Sequence, residues 1–255
     1  MLASSVIGQG QPLILLHGLF GMGDNLSMVA KSLSEYFQVY RLDLRNHGRS
    51  PRADSMTLTE MAADVKAFMD AHGIVSTHLL GHSLGGKVAM QLALDYPEAV
   101  EKLVVADIAP VAYKGGHKDV FAGLEAVDLA SLSSRRDAEN ILRQFIQQDN
   151  VRLFLLKNLY RDEGGKFQWR INLSVLSRCY ESFGQANHGD HPFTGPVLFI
   201  KGELSDYITE AYSDATRRLF PNAQLKIIQN TGHWLHAEKP VIFNQLVKRF
   251  LTSPH

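Results

Sequence analysis

Short apolar runs alternate with longer amphipathic segments along most of the chain. The runs predict buried strands at residues 13–16, 38–43, 78–80, 103–106, 197–201 and 225–228. Apolar residues at helical spacing predict helices at residues 25–34, 58–71, 85–95, 210–219 and 240–251. Apolar strands that alternate with helices indicate an α/β protein with a mainly parallel sheet that is covered by helices on both faces.

The alternation stops after Asp107 and resumes near residue 196. Between these points the pattern is mostly helical, with an apolar stripe from Ala138 to Ile146 and one brief alternating strand at 167–171. An insertion of this size between two strands of one sheet is usually functional. We therefore predict a core made of residues 1–107 and 196–255, and a helical cap, or lid, at residues 108–195.

Composition and charge exclude several classes of protein. The chain has 255 residues, of which 45% are hydrophobic, so disorder is excluded. Lys and Arg number 26 and Asp and Glu number 26, and this balance argues against a nucleic-acid partner. A single cysteine excludes an internal disulfide bond. No apolar run approaches the roughly 20 residues of a membrane span, and the first basic residue is Lys31, so we expect a cytoplasmic protein.

The motif Gly81-His82-Ser83-Leu84-Gly85 lies between a predicted strand and a predicted helix. The pattern G-x-S-x-G in this context is typical of a nucleophile elbow, in which a tight turn exposes the serine hydroxyl. The N-terminus of the following helix favours negative charge near that oxygen. Ser83 is therefore the predicted nucleophile.

The same residues permit a second interpretation, because Gly81 to Lys87 also fit the phosphate-binding pattern G-x-x-x-x-G-K. However, Val88 occupies the position that should supply a hydroxyl to magnesium. The motif also follows a later strand, whereas phosphate loops usually follow the first. A nucleotide-binding protein is thus the non-enzyme alternative, and Lys87 is more simply explained as a solvated helix charge.

A serine nucleophile needs a base and a carboxylate that orients the base. His233 lies between the last predicted strand and the last predicted helix, and it is the predicted base. Two carboxylates lie between Ser83 and His233 in the sequence. Asp107 ends the strand that follows the nucleophile, and Asp206 follows the next strand but is displaced by one residue, with Ser205 at the usual spacing from Gly202. We favour Asp107, and Asp206 stays open.

The tetrahedral intermediate of acyl transfer needs hydrogen-bond donors for its oxyanion. The backbone N–H groups of Leu19, after the first strong strand, and of Leu84, after the nucleophile, are the predicted donors. Phe20 and Trp234 flank the site in the sequence and are predicted to bind an apolar acyl group. His17 is expected to hold the loop that carries Leu19.

Residues 187–192 contain possible metal ligands, because His188 and His191 stand three residues apart beside Asp190. No further ligands stand at a matching spacing elsewhere, and the segment is rich in turn-forming residues. We therefore predict neither a metal nor an organic cofactor.

Five segments together resemble the α/β-hydrolase superfamily and, more narrowly, the bacterial YbfF-type esterases. They are HGLFG at 17–21, DLRNHGRS at 43–50, GHSLGG at 81–86, DIAP at 107–110 and GHW at 232–234. The resemblance covers nearly the whole chain and is weakest in 108–195, which is similar to the helical cap of that family. It implies the α/β-hydrolase fold, hydrolysis of carboxylic esters or acyl thioesters such as acyl-CoA, and an acid at Asp107.

The function predicted from the sequence is therefore serine-dependent hydrolysis of a small-molecule ester or thioester through an acyl-enzyme. The same fold hosts other chemistries, so a C–C bond hydrolase or a perhydrolase remains an alternative enzyme. A non-catalytic binding protein built on a hydrolase fold is a further alternative, although such a protein usually lacks the nucleophile or the base.

Overall fold

The computed structural model describes residues 1–254, and its centre is a twisted, mainly parallel β-sheet. The strands are β1 (Ser4–Ile7), β2 (Pro12–Leu16), β3 (Gln38–Leu42), β4 (Thr77–His82), β5 (Val100–Ala106), β6 (Leu159–Arg161), β7 (Phe167–Trp169), β8 (Val197–Gly202) and β9 (Ala223–Ile228). Seven of them form one sheet in the order β1-β3-β2-β4-β5-β8-β9, in which only β1 runs antiparallel to its neighbour. The fold is thus the α/β architecture that the alternating pattern predicted.

The six predicted strands are all present, and the main surprise lies at the N-terminus. β1 was not among the predicted strands, and it pairs with β3 rather than with β2, its neighbour in the sequence. The reason is that β2 uses both of its edges for parallel partners, β3 and β4. The connection turns at Gly8 and Gly10, whose φ angles of 82° and 102° suit glycine.

Helices cover both faces of the sheet. They are α1 (Ser27–Leu33), α2 (Leu58–Ala71), α3 (Leu84–Asp95), α4 (Lys118–Glu125), α5 (Arg135–Leu142), α6 (Asp149–Leu156), α7 (Leu173–Arg178), α8 (Tyr180–Phe183), α9 (Ser213–Leu219), α10 (Leu235–Glu238) and α11 (Pro240–Thr252). Successive residues of a strand point to opposite faces, so Leu13 and Leu15 join the core under α1 and α11, whereas Ile14 and Leu16 join the core under α2 and α3.

The segment between β5 and β8 contains α4 to α8 and the antiparallel pair β6–β7. Its helices have only four to eight residues and are joined by loops, so it holds less helix than its apolar pattern predicted. The stripe from Ala138 to Ile146 is an example, because α5 ends at Leu142 and a turn carries the last apolar residues. The buried side chains of this segment belong to the same core cluster as Ile14 and Leu16.

Within residues 1–254, the helices are all too short or too polar to cross a lipid bilayer.

Candidate active site

The turn between β4 and α3 places Ser83 in a conformation that side chains rarely adopt. Its φ and ψ angles are 53° and −119°, and a non-glycine residue with positive φ is strained. The turn is tightly packed: a Cβ on Gly81 would lie 2.1 Å from the carbonyl oxygen of Gly85, and a Cβ on Gly85 would lie 2.3 Å from that of Leu16. Glycine is therefore required at both positions of the motif.

The structure brings Ser83, His233 and Asp107 into one hydrogen-bonded chain. His233 Nε2 lies 2.9 Å from Ser83 Oγ, and His233 Nδ1 lies 2.7 Å from Asp107 Oδ2. A carboxylate can only accept, so Nδ1 carries the proton and Nε2 is free to accept the hydroxyl proton of Ser83. The arrangement can remove a proton from Ser83 and stabilise the resulting positive charge on the imidazole.

Asp107 is fully buried and its other contacts fix its carboxylate. The backbone N–H of Gly202 donates to Oδ1 at 3.0 Å, and the hydroxyl of Ser205 donates to Oδ2. The competing candidate Asp206 is exposed, and in residues 1–254 its side chain forms no hydrogen bond with His233. The carboxylate next to His233 is thus that of Asp107, at the end of β5.

Sequence reasoning missed the contribution of Ser205, although a signal was present. Ser205 stands three residues after Gly202, at the spacing where an acid was expected. Its buried side chain turns towards the site and donates to Asp107, while the next side chain, that of Asp206, points to solvent. The loop after β8 therefore supplies a hydrogen-bond donor to an acid that comes from the neighbouring strand.

Tyr207 is a second residue that the sequence did not reveal. Its ring stacks on His233 with the centroids 4.2 Å apart and the planes 27° from parallel. Burial raises the pKa of Tyr207, so its ring is a neutral surface against the imidazole. The hydroxyl of Tyr113 donates to the carbonyl of Tyr207 and holds this loop in place.

The backbone of His233 is fixed on both sides. His82 Nε2 lies 2.9 Å from the His233 carbonyl oxygen, and the N–H of Gly232 donates to Glu238 Oε2 at 2.8 Å. Burial, followed by the neighbouring histidines, holds the pKa of His82 well below its usual value, so the ring is neutral. A carbonyl can only accept, which places the proton of His82 on Nε2.

The loop after β2 packs directly against the nucleophile. A Cβ on Gly18 would lie 3.1 Å from His82 Nδ1 and 3.3 Å from Ser83 Cβ, so glycine permits this close approach. Leu19 lines both cavities that contain Ser83, and Leu84 opens α3, where helix N–H groups lack intrahelical partners. The two predicted oxyanion donors thus flank the serine.

His17 contributes to this loop as a buried neutral ring. Its Nε2 accepts a hydrogen bond from the N–H of Leu44 at 3.0 Å, so the loop is tied to the segment after β3. Burial lowers the pKa of His17 to about 4.

Two cavities meet at Ser83 and His233. The first has a volume of about 590 Å³, and Phe20 and Trp234 both line it. Phe20 is buried, and Trp234 packs against Phe154 with 5.5 Å between ring centroids. The remaining wall has apolar residues, among them Val120, Phe145, Ile146, Val151 and Leu155, and also polar ones, among them Asn25, Asp119, Gln148, Asn150 and Glu238.

The second cavity has a volume of about 460 Å³, and its wall includes Lys87, Tyr113, Tyr180 and Asp206. Leu19, Ser83, His117 and His233 belong to the walls of both cavities.

The expectation that Lys87 is a solvated charge is wrong. Only 3% of the residue is exposed, and its Nζ donates to the carbonyl of Val111 at 2.6 Å. The reason is that α3 is buried on all sides, between the sheet and the inserted segment. Burial lowers the pKa of Lys87 to about 7, so the amine also lacks the firm positive charge that a phosphate-binding lysine needs.

The His188–His191 segment is exposed at both histidines. Among residues 1–254, His, Cys, Asp and Glu form no group of three or more that could hold a metal ion.

Several known proteins resemble this chain over most of its length. Residues 11–240 match the family model described as the alpha/beta hydrolase fold. A putative esterase/lipase of Haemophilus influenzae is 43% identical over 94% of this chain and 83% of its own length. Esterase YbfF of Escherichia coli is 38% identical over 95% of this chain and 93% of its own length.

A mouse relative, the sn-1-specific diacylglycerol lipase ABHD11, is 37% identical over 94% of this chain and 80% of its own length. Among solved structures, a marine microorganism esterase superimposes with a TM-score of 0.96 at 42% identity and covers 98% of both chains.

Proposed function

The chain belongs to the α/β-hydrolase family and is a carboxylic ester hydrolase, and we propose that it cleaves its substrates through an acyl-enzyme on Ser83. The observation that carries the proposal is the hydrogen-bonded chain from Asp107 through His233 to Ser83, with distances of 2.7 and 2.9 Å. This is the geometry by which a neutral imidazole activates a hydroxyl.

In the first half of the reaction, Ser83 Oγ attacks the ester carbonyl and its proton passes to His233 Nε2. The carboxylate of Asp107 stabilises the imidazolium and keeps the remaining ring proton on Nδ1. When the tetrahedral intermediate collapses, His233 returns the proton to the leaving alcohol and the acyl group stays on Ser83. A water molecule then attacks the acyl-enzyme by the same proton transfers and releases the acid.

The oxyanion of each intermediate needs donors that are already in place. The backbone N–H groups of Leu19 and Leu84 flank Ser83 and are assigned this role. The loss of one such donor typically costs about 3 kcal/mol of transition-state stabilisation. The close packing of Gly18 on Ser83 supports the assignment, because it fixes the distance between the Leu19 loop and the nucleophile.

The two cavities bind different parts of the substrate. We assign the first to the acyl group because Phe20 and Trp234 lie in its wall, which leaves the second for the alcohol portion. Residues 108–195 act as a cap in this proposal, since Val120, Phe145 and Phe154 of that segment line the acyl cavity. An acyl thioester can react by the same steps, because the attack on its carbonyl and the protonation of its leaving group use the same side chains.

Labelling with a fluorophosphonate tests the nucleophile. Intact-mass measurement should show one added phosphonyl group on the wild-type protein and none on Ser83→Ala. Ser174→Ala is a matched control, because Ser174 is exposed and lies outside both cavities. Labelling of the Ser83→Ala protein would reject Ser83 as the nucleophile.

Hydrolysis of nitrophenyl esters with increasing acyl length tests the acyl cavity. We expect kcat/KM to rise with chain length until the cavity of about 590 Å³ is filled, and then to fall. Replacement of Trp234 with alanine should flatten this dependence. A parallel assay with acyl-CoA of the same chain lengths determines whether thioesters are accepted, and an absence of turnover there restricts the proposal to oxygen esters.

A further inference from the structure

The tautomer of His117, a residue of the inserted segment, follows from its contacts. The hydroxyl of Tyr180 lies 2.5 Å from the carbonyl oxygen of Gly115, and the same hydroxyl oxygen lies 2.6 Å from His117 Nδ1. The carbonyl can only accept, so the single hydroxyl proton of Tyr180 goes to Gly115. The proton between Tyr180 and His117 must then belong to Nδ1, and Nε2 carries a lone pair.

Within residues 1–254, this lone pair has no hydrogen-bond partner. In the part of the chain that the structure describes, His117 Nε2 forms no hydrogen bond, while Nδ1 is held by Tyr180. Burial lowers the pKa of His117 to about 4, so the ring is neutral near pH 7 and Nε2 acts only as an acceptor. Ring contacts with Phe20, at 6.1 Å, and with Tyr180, at 5.5 Å, fix the orientation of the imidazole.

The position of His117 connects it with the reacting centre. The residue belongs to the walls of both cavities, and so do Ser83 and His233. A substrate that lies across Ser83, with its acyl group in one cavity and its alcohol portion in the other, must therefore pass His117. The Nε2 atom of His117 is then available to this substrate as a hydrogen-bond acceptor, because the only ring proton is on Nδ1 and is donated to Tyr180.

We propose that His117 Nε2 accepts a hydrogen bond from a hydroxyl group on the alcohol portion of the substrate, close to the scissile ester. Esters whose alcohol portion carries a free hydroxyl group near the ester oxygen are then preferred over esters of simple alkanols. His117 lines both cavities, so the alcohol portion meets it whichever of the two cavities holds the acyl group. This inference rests on the proposed esterase function and adds a class of alcohol to it.

Two esters of the same acid and nearly the same shape provide the test. In 2-hydroxyethyl butanoate a hydroxyl replaces the terminal methyl group of propyl butanoate. Initial rates are measured in a pH-stat at pH 7.5, and each kcat/KM is divided by the rate constant of hydroxide-catalysed hydrolysis of the same ester. This division removes the difference in leaving-group acidity. We expect the wild-type protein to prefer the hydroxyethyl ester about five- to tenfold, as for a neutral hydrogen bond.

Variants locate the preference. His117→Phe keeps an aromatic ring and removes the acceptor, so the preference should fall to about one. His117→Gln can present an oxygen acceptor in place of Nε2 and should retain part of the preference. His191→Phe is the matched control, since His191 is exposed and lies outside both cavities, and the full preference should remain. Turnover of nitrophenyl butanoate shows that each variant is folded and can be acylated.

The outcomes separate this inference from the function on which it rests. If the wild-type protein hydrolyses none of the three esters, the esterase proposal itself fails. If it hydrolyses them all without a preference for the hydroxyethyl ester, only the role of His117 is rejected. A preference that persists unchanged in His117→Phe also rejects that role. Loss of the preference in His117→Phe and partial recovery in His117→Gln would support it.

Discussion

Replacement of Asp107 with asparagine tests the proposed role of the buried carboxylate, and the structure determines what the amide would do. The carboxylate faces the N–H of Gly202 with Oδ1 and faces both Ser205 and His233 with Oδ2. An amide can turn its oxygen to one side only. With the oxygen towards Gly202, the NH₂ group faces His233 Nδ1 and donates to it, so the ring proton moves to Nε2 and the base is blocked.

The opposite orientation keeps the imidazole tautomer but leaves the buried N–H of Gly202 facing an NH₂ group. An unsatisfied buried donor costs about 1–3 kcal/mol, so only about 1–15% of the molecules adopt this orientation. That minority also lacks the negative charge that stabilises the imidazolium. We therefore expect kcat of Asp107→Asn to fall by about 10²- to 10⁴-fold, where the upper figure is typical of a triad with the wrong tautomer.

The assay is steady-state hydrolysis of nitrophenyl butanoate, with Asp206→Asn as the control. Asp206 is exposed and forms no hydrogen bond with His233 within residues 1–254, so kcat should change little, and any effect through the second cavity, which Asp206 lines, should appear in KM. Circular dichroism and thermal unfolding show whether Asp107→Asn retains its fold. A folded Asp107→Asn protein within tenfold of wild-type kcat would falsify the reasoning, and a large loss in Asp206→Asn would transfer the role to that residue.

Three further predictions concern the surroundings of the site. Ser205→Ala removes one donor to Asp107 and should lower kcat about two- to tenfold at nearly constant KM; an unchanged kcat in steady-state assays would contradict this. Gly85→Ala should destabilise the fold by at least about 3 kcal/mol in urea unfolding, because the new Cβ would lie 2.3 Å from a backbone oxygen, whereas the control Gly164→Ala on an exposed turn should be nearly neutral. Burial lowers the pKa of His236 from 6.5 to about 4. Between these pH values the unfolded state therefore binds one more proton at this residue than the folded state does. The contribution of His236 to the free energy of unfolding thus falls by about 1.4 kcal/mol for each unit by which the pH falls. His236→Phe should remove this contribution, and an unfolding free energy with the same pH slope as that of the wild type would refute it.

The elements of the sheet and the residues of the site could be predicted from the sequence to different degrees. Ser83 was accessible because the strand, the turn glycines and the helix around it all leave local signals. His233 and Asp107 were accessible from chain order, since the carboxyl ends of parallel strands meet at one edge of the sheet. Chain order alone does not decide between Asp107 and Asp206, because that choice depends on the directions of two side chains in neighbouring loops.

The residues that sequence reasoning missed act through contacts between distant segments. Tyr207 stacks on His233 across the end of the sheet, and no periodic pattern predicts such a pair. The burial of Lys87 depends on the inserted segment, which covers the exposed side of α3. The free acceptor of His117 depends on Tyr180 and Gly115, and a tautomer leaves no trace in the sequence.

The inserted segment leaves the sheet from β5 and returns in β8, and these two strands are direct neighbours, with Leu103 opposite Val197. Because the two strands run parallel, Val197 lies level with Leu103, three residues before the end of β5 at Ala106, so the two strand ends are about 5 Å apart across the sheet and about 10 Å apart along it. The entropy of loop closure grows only slowly with length, so an inserted segment of another size could join the same two strand ends without moving Ser83, Asp107 or His233. Evolution or protein engineering can then change the substrate range by replacing the segment between β5 and β8, while the residues that carry out hydrolysis stay unchanged.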